Sequence, residues 1–245
     1  MSSGVLAIVP AHNEEPRIVA VVKALVAQGL PVVVVDDGST DDTEAAARAA
    51  GARVLSLTPN RGKGAALKAA FRCALDETAP AGPGGSGPPI WEAFLTLDGD
   101  GQHDPSEAPR VIRAWESTGA DLVVGARDYK GMPPVRRFTN SVSRLLFSWA
   151  VGERVPDNQS GYRLRTRRLA EATLASPEEG FAFEVEEIAI CVGRGYDLAW
   201  VPIKTVYGTE VSDIKPWSHF LGFMRVTWRA RRRVRQERLN VLGNV

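Results

Sequence analysis

Two aspartates separated by one residue follow a short apolar run near the middle of the chain. The segment L-D-G-D-G-Q spans residues 97–102, and residues 93–97 are apolar enough to form a buried strand. Mg²⁺ prefers oxygen ligands and is commonly shared between one or two carboxylates and the phosphates of a substrate. The pattern therefore indicates a divalent-cation site with Asp98 and Asp100 as ligands. A simple polar turn is the alternative, since Asp and Gly are common turn residues.

Further polar clusters follow other predicted strands. Together with the D-G-D turn, they occupy residues 10–14, 36–39, 60–64 and 98–102. In an open parallel sheet, ligands bind beyond the carboxyl ends of the strands, where the winding of the sheet reverses. We therefore expect these clusters to converge on one edge of the sheet and to form a single site.

The segments that must position these clusters alternate between strand and helix. Apolar, β-branched runs predict strands at residues 5–9, 32–35 and 53–57. Apolar positions at helical spacing predict helices that begin after Asn13 as the N-cap, at 43–50 and at 65–77. Three consecutive strand–helix units predict an α/β fold with a doubly wound, mostly parallel sheet flanked by helices.

The second half of the chain has a less regular pattern. Residues 79–89 are almost pure Ala, Gly, Pro and Ser and predict a flexible surface loop. The segments predicted after it are strands at 93–97, 121–125 and 198–206, helices at 106–118, 138–151 and 178–192, and a polar turn at 157–163. We expect one α/β domain over residues 1–210 and a basic amphipathic segment over 211–245.

The composition is that of an ordinary globular protein. The chain has 245 residues, of which 44% are hydrophobic, and a formal net charge of +1. Cys73 and Cys191 are far apart and give neither a metal spacing nor a disulfide framework, which fits a reducing compartment. No secretion signal precedes the first strand, and no apolar run approaches the roughly 18 residues of a membrane span. We therefore expect a cytoplasmic protein whose membrane contact is peripheral.

The residue types at the strand ends separate several classes of nucleotide-binding protein. A dinucleotide binder would carry G-x-G-x-x-G after its first strand, and a P-loop would carry G-x-x-x-x-G-K-[ST]; the chain has neither. Instead, Glu14, Asp36 and Asp37 offer carboxylates, which suit the hydroxyl and N–H donors of a base and ribose. The phosphates are then left to a metal on Asp98 and Asp100.

Seven short motifs occur in a fixed order along the chain. They are V-P-A-H-N-E-E, V-V-D-D-G-S-T-D, N-R-G-K-G-A-A, L-D-G-D-G-Q-H-D-P, G-A-R, Q-S-G-Y-R and F-E-V-E. This ordered set resembles the inverting family 2 glycosyltransferases, in particular dolichyl-phosphate mannose synthases and bacterial polyprenyl-phosphate glycosyltransferases. The resemblance covers roughly residues 5–207. It implies a GT-A fold, a nucleotide-sugar donor such as GDP-mannose or UDP-glucose, and Mg²⁺ or Mn²⁺.

The resemblance also implies roles for individual residues on the donor side. The residues that would hold the nucleoside are Pro10, Ala11, Glu14, Asp36 and Asp37. The set that would hold the metal and diphosphate is Asp98, Asp100 and Gln102, with Asp98 shared between metal and ribose. Lys63 of the N-R-G-K-G motif is either a further phosphate contact or a solvated lysine.

On the acceptor side, the resemblance implies a phosphate site. In lipid-phosphate members of the family, the acceptor phosphate is bound by the arginine of a G-S-R motif and by a second arginine that is followed four residues later by serine. The corresponding residues here are Arg127, Arg137 and Ser141. Ala126 replaces the usual serine of the G-S-R motif. Arg163 of Q-S-G-Y-R would contact a phosphate near the donor. We predict that Asp100, Arg127 and Arg137 are the catalytic residues.

The chemistry of a phosphate acceptor agrees with these residues. A sugar hydroxyl needs a general base, whereas a phosphate monoester, with a second pKa of about 6, is already a nucleophilic dianion at neutral pH. His12, His103 and His219 are scattered and suggest no base. We predict hexose transfer, of mannose or glucose, to a polyprenyl phosphate by one inverting displacement. The alternatives are a soluble acceptor, with Glu184 or Asp157 as base, and a non-catalytic nucleotide-sugar-binding membrane scaffold.

The end of the chain is strongly basic. Residues 225–238 contain seven arginines against Glu237, and Trp217, Phe220 and Trp228 lie among or before them. A basic amphipathic segment of this kind is typical of helices on anionic membrane surfaces, here the inner face of the cell membrane. A helix that packs on the core with a solvated basic face is the alternative. Nucleic-acid binding is disfavoured because no recognition fold accompanies the charge.

Overall fold

Strands and helices alternate along most of the chain. The computed structural model describes residues 4–78, 90–127, 134–204 and 216–243, with the side chains of 134–140, 216–223 and 242–243 left out; the loop predicted at 79–89 lies outside the described residues. The strands are β1 (Val5–Ala11), β2 (Val32–Asp37), β3 (Arg53–Leu57), β4 (Ala93–Thr96), β5 (Leu122–Arg127), β6 (Arg163–Thr166) and β7 (Leu198–Ile203). The helices are α1 (Glu15–Ala27), α2 (Thr43–Ala49), α3 (Lys63–Asp76), α4 (Ala108–Thr118), α5 (Pro134–Val151), α6 (Arg167–Thr173), α7 (Ala182–Gly193) and α8 (Pro216–Gly243).

The strands form one mixed sheet in the order β3-β2-β1-β4-β6-β5-β7. All neighbours are parallel except β6, which runs antiparallel to both β4 and β5. The prediction of a mostly parallel sheet flanked by helices is therefore confirmed. The sequence does not predict β6, because this strand has only four residues, R-L-R-T, and two of them are charged.

Helices cover both faces of the sheet. β1, β2 and β4 are buried along their whole length, as central parallel strands are. Side chains of α1, α2 and α4 fill one face, and those of α3, α5, α6, α7 and α8 fill the other. Because both faces are filled, a ligand site has to lie at the ends of the strands.

The turn after β1 differs from the sequence prediction. Glu14, and not Asn13, occupies the N-cap position of α1. Asn13 has a φ of 56°, in the left-handed region, and its Oδ1 accepts a hydrogen bond of 2.8 Å from the amide of Thr40. The amide of Asn13 in turn donates to Oγ of Ser39 at 2.9 Å. Asn13 therefore joins the turn after β1 to the turn after β2.

The basic end of the chain forms α8, which packs against α5 and α7. Ala230 and Val234 are buried in this contact, whereas Arg225, Arg232 and Arg235 are exposed. One face of α8 therefore packs on the core and the other is basic and solvated, as the alternative interpretation predicts, and binding of this helix to a membrane stays a prediction. Among the described residues, no helix has the length and hydrophobicity needed to cross a bilayer.

Candidate active site

The turns after β1 and β4 meet at one edge of the sheet. The strand order reverses between these two parallel neighbours, which is where open α/β sheets bind ligands. The amide of Gly99 donates to the carbonyl of Pro10 at 3.3 Å, and a Cβ on Gly99 would lie 3.2 Å from Cβ of Ala11. The D-G-D turn therefore lies directly beside the end of β1.

Asp98, Lys63 and Glu184 form an ionic cluster at the centre of this edge. Nζ of Lys63 lies 2.8 Å from Oε1 of Glu184 and also pairs with Asp98, and the Lys63 side chain is 9% exposed. Burial opposes the charge on Lys63, but the two carboxylates outweigh it and raise the pKa of the ammonium. Burial also opposes the charge on Asp98, yet Lys63 holds the pKa of this carboxyl below its usual range. Lys63 is thus a charged residue inside the site, not a solvated one.

The turn that precedes β6 closes this cluster from another side. A Cβ on Gly161 would lie 2.5 Å from Oδ2 of Asp98 and 2.6 Å from Nζ of Lys63, so only glycine fits there. His103 is buried beside the same carboxylate, with Nδ1 3.6 Å from Oδ2 of Asp98 and its ring edge-on to Tyr162. Burial lowers the pKa of His103, so the ring packs in its neutral form.

Asp98 and Asp100 offer oxygen ligands at an open edge. Both are half-buried, Gln102 is exposed, and Oδ1 of Asp100 accepts the Gln102 amide at 2.9 Å. Within the described part of the chain, no three His, Cys, Asp or Glu side chains converge to hold a metal by themselves. Two carboxylates nevertheless fit Mg²⁺ or Mn²⁺ when diphosphate oxygens and water complete the shell. Asp98 and Asp100 would hold such a cation.

The two aspartates at the end of β2 have different partners. Asp36 is buried and accepts an amide hydrogen bond of 2.9 Å within its own turn. Asp37 accepts the amides of Arg61 and Gly62 at 2.9 and 2.7 Å, one on each carboxylate oxygen. Asp37 therefore fixes the loop before α3, at whose start Lys63 lies. Binding of the nucleoside by Asp36 and Asp37 stays a prediction.

The other residues predicted for the nucleoside lie at the end of β1 and in the turn after it. Pro10 and Ala11 are buried at the end of the strand, and Glu14 is 18% exposed with its Oε2 2.8 Å from Nη1 of Arg17. Together with Asp36 they lie on the β1–β2 side of the D-G-D turn. β5 lies on the opposite side of β4, so the strand order separates the nucleoside candidates from the acceptor candidates.

Arg127 ends β5 at the same edge of the sheet as Asp98, because β4 and β5 both run antiparallel to β6. Its Nε and Nη2 donate to the two oxygens of Asp157 at 2.7 and 3.0 Å, and Asp157 is completely buried. Asp157 begins the short turn whose Gly161 lies against Asp98, so Arg127 and Asp98 contact the two ends of one turn. The predicted acceptor arginine and the predicted metal ligand thus belong to one site. The sequence places Asp157 in a polar turn and suggests it as a base for a soluble acceptor, but it does not predict the pairing with Arg127.

The remaining predicted acceptor residues lie on α5. The side chain of Arg137 is outside the described residues, so its role stays a prediction. Oγ of Ser141 accepts a hydrogen bond of 3.1 Å from Nη2 of Arg144, whose Nη1 donates to the carbonyl of Pro156 at 3.2 Å. Arg144 therefore connects α5, next to Ser141, to the turn that carries Asp157.

Arg163 does not fit the predicted phosphate contact. Its side chain is 0% exposed, with Nη1 3.0 Å from Oε2 of Glu187 and Nε donating to the carbonyl of Ser160 at 2.7 Å. Arg165 is buried beside it and pairs with the same glutamate. A guanidinium enclosed in this way does not reach a ligand at the edge of the sheet. We therefore correct the prediction, since Arg163 anchors the Q-S-G turn to α7.

The chain has the GT-A fold, a mixed sheet of this order with helices on both faces, as solved glycosyltransferase structures do. Residues 6–174 match the sequence profile of the family described as glycosyl transferase family 2. The chain belongs to this family and is a glycosyltransferase.

Two relatives and one solved structure illustrate the similarity. The chain is 30% identical to an undecaprenyl-phosphate mannosyltransferase of Micrococcus luteus, covering 89% of each chain. It is 29% identical to a polyprenol monophosphomannose synthase of Mycolicibacterium smegmatis, covering 81% of this chain and 76% of that one. The fold matches that of glucosyl-3-phosphoglycerate synthase of Mycobacterium tuberculosis, solved in complex with Mn²⁺, UDP-glucose and phosphoglyceric acid. The TM-score is 0.69 and the sequence identity is 23%, over 94% of this chain and 80% of that one. The chain is thus related to polyprenyl-phosphate sugar transferases.

Proposed function

We propose that this protein transfers a hexose, mannose or glucose, from a nucleotide diphosphosugar to a polyprenyl phosphate, with Mg²⁺ or Mn²⁺, by a single inverting displacement. The observation that carries the proposal is that one short turn, residues 157–161, contacts both Arg127, a cation suited to a phosphate acceptor, and Asp98, a carboxylate suited to the metal. Relatives named as an undecaprenyl-phosphate mannosyltransferase and a polyprenol monophosphomannose synthase support a lipid phosphate as the acceptor class.

Each group of residues has a separate task in this reaction. A cation held by Asp98 and Asp100 would neutralise the charge that builds on the leaving diphosphate. Lys63 adds a fixed positive charge beside Asp98. Arg127 would bind the acceptor phosphate, because a guanidinium matches phosphate oxygens with two parallel hydrogen bonds. The anionic acceptor can then approach the anionic donor.

Neither of the two carboxylates considered as bases is well suited to that role. Asp157 accepts hydrogen bonds from Arg127 and from the amide of Gln159, and although burial opposes its charge, Arg127 holds its pKa below the usual range. A carboxylate with a lowered pKa is a weak general base. Burial raises the pKa of Glu184, but this side chain is bound to the Lys63 ammonium. An acceptor that needs no base, such as a phosphate dianion, suits this site better.

A lipid acceptor requires contact with a membrane, and α5 and α8 provide a suitable surface. Leu145 and Trp149 of α5 are 73% and 61% exposed, and Trp228 of α8 is 60% exposed. The guanidinium carbon of Arg231 lies 4.1 Å from the ring centre of Trp149 and so joins the two helices. Exposed tryptophans beside arginines are typical of proteins at anionic membrane surfaces. We propose that this α5–α8 surface, made of these four residues, binds the inner face of the cell membrane.

The test is a panel of GDP- and UDP-sugars with a short polyprenyl phosphate and Mn²⁺ or Mg²⁺, followed by detection of the glycosylated lipid. We expect one donor to give product, with a β-linked sugar from an α-linked donor. Asp100→Asn should lower turnover about a hundredfold or more, because the diphosphate loses metal stabilisation worth several kcal/mol. An α-linked product would contradict the single displacement.

Asp104→Asn is the matched control for Asp100→Asn. Asp104 lies in the same segment, but its Oδ1 accepts the amide of Ser106 at 2.9 Å in the 3-10 turn Pro105–Glu107. We expect this variant to keep turnover close to that of the wild type.

Transfer to phosphoglyceric acid or a free sugar, with no lipid product, would favour the soluble-acceptor alternative. Lipid glycosylation that survives in Asp100→Asn would revive the interpretation of this chain as a scaffold.

A further inference from the structure

The guanidinium of Arg127 is held by one carboxylate in a two-point contact. Nε of Arg127 lies 2.7 Å from Oδ2 of Asp157, and Nη2 lies 3.0 Å from Oδ1. The backbone amide of Arg127 also donates to Oδ2, at 3.3 Å. Two parallel hydrogen bonds fix both the position and the plane of a guanidinium, which a single bond would leave free to rotate.

Asp157 is itself fixed by its surroundings. Its side chain is 1% exposed, and Oδ1 accepts a further hydrogen bond of 3.0 Å from the amide of Gln159. The carboxylate therefore accepts four hydrogen bonds, three from Arg127 and one from the amide of Gln159. Its orientation is fixed relative to the turn at residues 157–161. A buried carboxylate with this many partners has little freedom to move.

The far end of the same turn touches the donor side of the site. Gly161 lies so close to Asp98 that a Cβ would approach Oδ2 to 2.5 Å and Nζ of Lys63 to 2.6 Å. Asp157 and Gly161 are therefore the two ends of one short turn, with Arg127 against the first and Asp98 against the second. The turn sets the distance between the two groups.

We propose that Asp157 is a positioning residue that, through this turn, holds the Arg127 guanidinium at a fixed place relative to Asp98, so that the acceptor phosphate is presented to the donor sugar. The inference rests on the proposed function, because it assumes that Arg127 binds the acceptor phosphate. Because the Asp157 side chain is enclosed by the protein, it would act only through Arg127. Its loss should therefore affect use of the acceptor and spare use of the donor.

The first test is steady-state kinetics of Asp157→Asn with both substrates varied. We expect the KM for the polyprenyl phosphate to rise about 10- to 100-fold, as when a charge-assisted hydrogen-bonded pair is lost, and the KM for the nucleotide sugar to change less than about twofold. In an Arg127→Ala background, Asp157→Asn should have little further effect, because residues that act through one another are non-additive. Equal rises in both KM values, or additive effects, would overturn the proposal.

Asp121→Asn is the matched control, because an equivalent pair lies at the other end of the same strand. Asp121 is 1% exposed just before β5 and pairs with Arg168, whereas Arg127 ends β5. Asp121→Asn should lower stability but leave the KM for the acceptor unchanged. A rise in acceptor KM in this control as large as in Asp157→Asn would mean that any damage to β5 has this effect, and the positioning role would be rejected.

Arg127→Lys serves if Asp157→Asn fails to fold. Lysine keeps the charge but cannot make the two-point contact, so we expect the same selective rise in acceptor KM. An acceptor KM equal to that of the wild type would overturn the proposal.

The NMR signal of the Arg127 Nε–H group provides a measurement that needs no substrate. It should be sharp in the wild type and broadened in Asp157→Asn, and an unchanged signal would reject the positioning role. Failure of the proposed function looks different, since the wild type would then glycosylate no lipid phosphate. An active wild type with an unchanged acceptor KM in Asp157→Asn would reject the positioning role alone.

Discussion

At the scale of single residues, the site is defined by charges that are paired before any ligand arrives. Lys63 lies between Asp98 and Glu184, and Arg127 is held by Asp157. Removing one partner of a buried pair leaves the other charge uncompensated, which costs more than the pair itself contributes. These residues should therefore affect folding stability as well as turnover.

Lys63→Met should lower the free energy of unfolding by about 3 kcal/mol or more, because Asp98 and Glu184 would face each other without a cation. Lys68→Met is the control. Lys68 is also buried, but its Nζ donates to the carbonyl of Ser176 at 2.8 Å, so its loss should cost only about 1–2 kcal/mol. Chemical denaturation of both variants measures the difference. Equal losses of unfolding free energy in the two variants would show that Asp98 and Glu184 do not need the Lys63 charge for stability.

The pair of Asp157 and Arg127 should make stability depend on pH in the acid range. The pKa of Asp157 is lowered in the folded protein, so the unfolded chain binds more protons there and stability rises with pH. The contribution is complete above the unfolded pKa of about 3.9 and is lost as the pH falls below it. Unfolding of the wild type and Asp157→Asn between pH 7 and 3 should therefore show a gap that narrows below about pH 4. A gap that widens at low pH would contradict this sign.

At the scale of secondary-structure elements, β6 is the strand that makes the site possible. It separates β4 from β5 and, by running antiparallel to both, brings their carboxyl ends to the same edge. The strand carries Arg163 and Arg165 into the core, where Glu187 of α7 pairs with both. The turn before β6 then delivers Asp157 and Gly161. The position of the strand therefore depends on a buried ionic group.

Glu187→Gln should lower the free energy of unfolding by about 3–5 kcal/mol, because two buried guanidinium groups would lose their shared carboxylate. Glu171→Gln, in which an exposed i,i+4 pair with Arg167 is lost, should change it by less than about 1 kcal/mol. Denaturant unfolding of the two variants provides the comparison. A stable Glu187→Gln protein would show that Arg163 and Arg165 find other partners.

At the scale of the whole molecule, charge is distributed unevenly around the fold. α8 presents Arg225, Arg232 and Arg235 to solvent beside Trp228, on the side of the sheet that α1 and α4 do not cover. An anionic membrane attracts each such arginine by about 1 kcal/mol, and the exposed aromatic rings add to this. Because Trp228 is part of the α5–α8 surface, these arginines would add to the attraction of that surface to an anionic membrane.

Arg225→Glu with Arg232→Glu should weaken binding to vesicles of anionic lipid about thirtyfold or more, because two attractive charges of about 1 kcal/mol each are reversed. Lys23→Glu with Arg113→Glu makes the same change of charge on α1 and α4 and should have little effect. Vesicle sedimentation at low and high salt measures both. Wild-type protein that does not bind at low salt would rule out the membrane surface.

Local patterns in the sequence determined much of the fold and the location of the site. Short β-branched runs such as Val32 to Val35 favour buried strands, and the connection rules for parallel sheets then bring their polar ends together. Asp98 and Asp100 could be proposed as metal ligands from the sequence, because such a proposal needs only oxygen ligands at the end of a predicted strand. The sequence also predicted the class of enzyme through motifs in a fixed order.

Only the tertiary structure decided which charges are partners. Arg163 and Arg127 are both arginines near polar turns, yet Arg163 is enclosed with Glu187 and Arg127 lies at the open edge. The sequence could not separate them, because burial and ion pairing depend on residues that are distant along the chain. For the same reason, Asp157 became the partner of Arg127 only when the fold had brought β5 and the turn before β6 together.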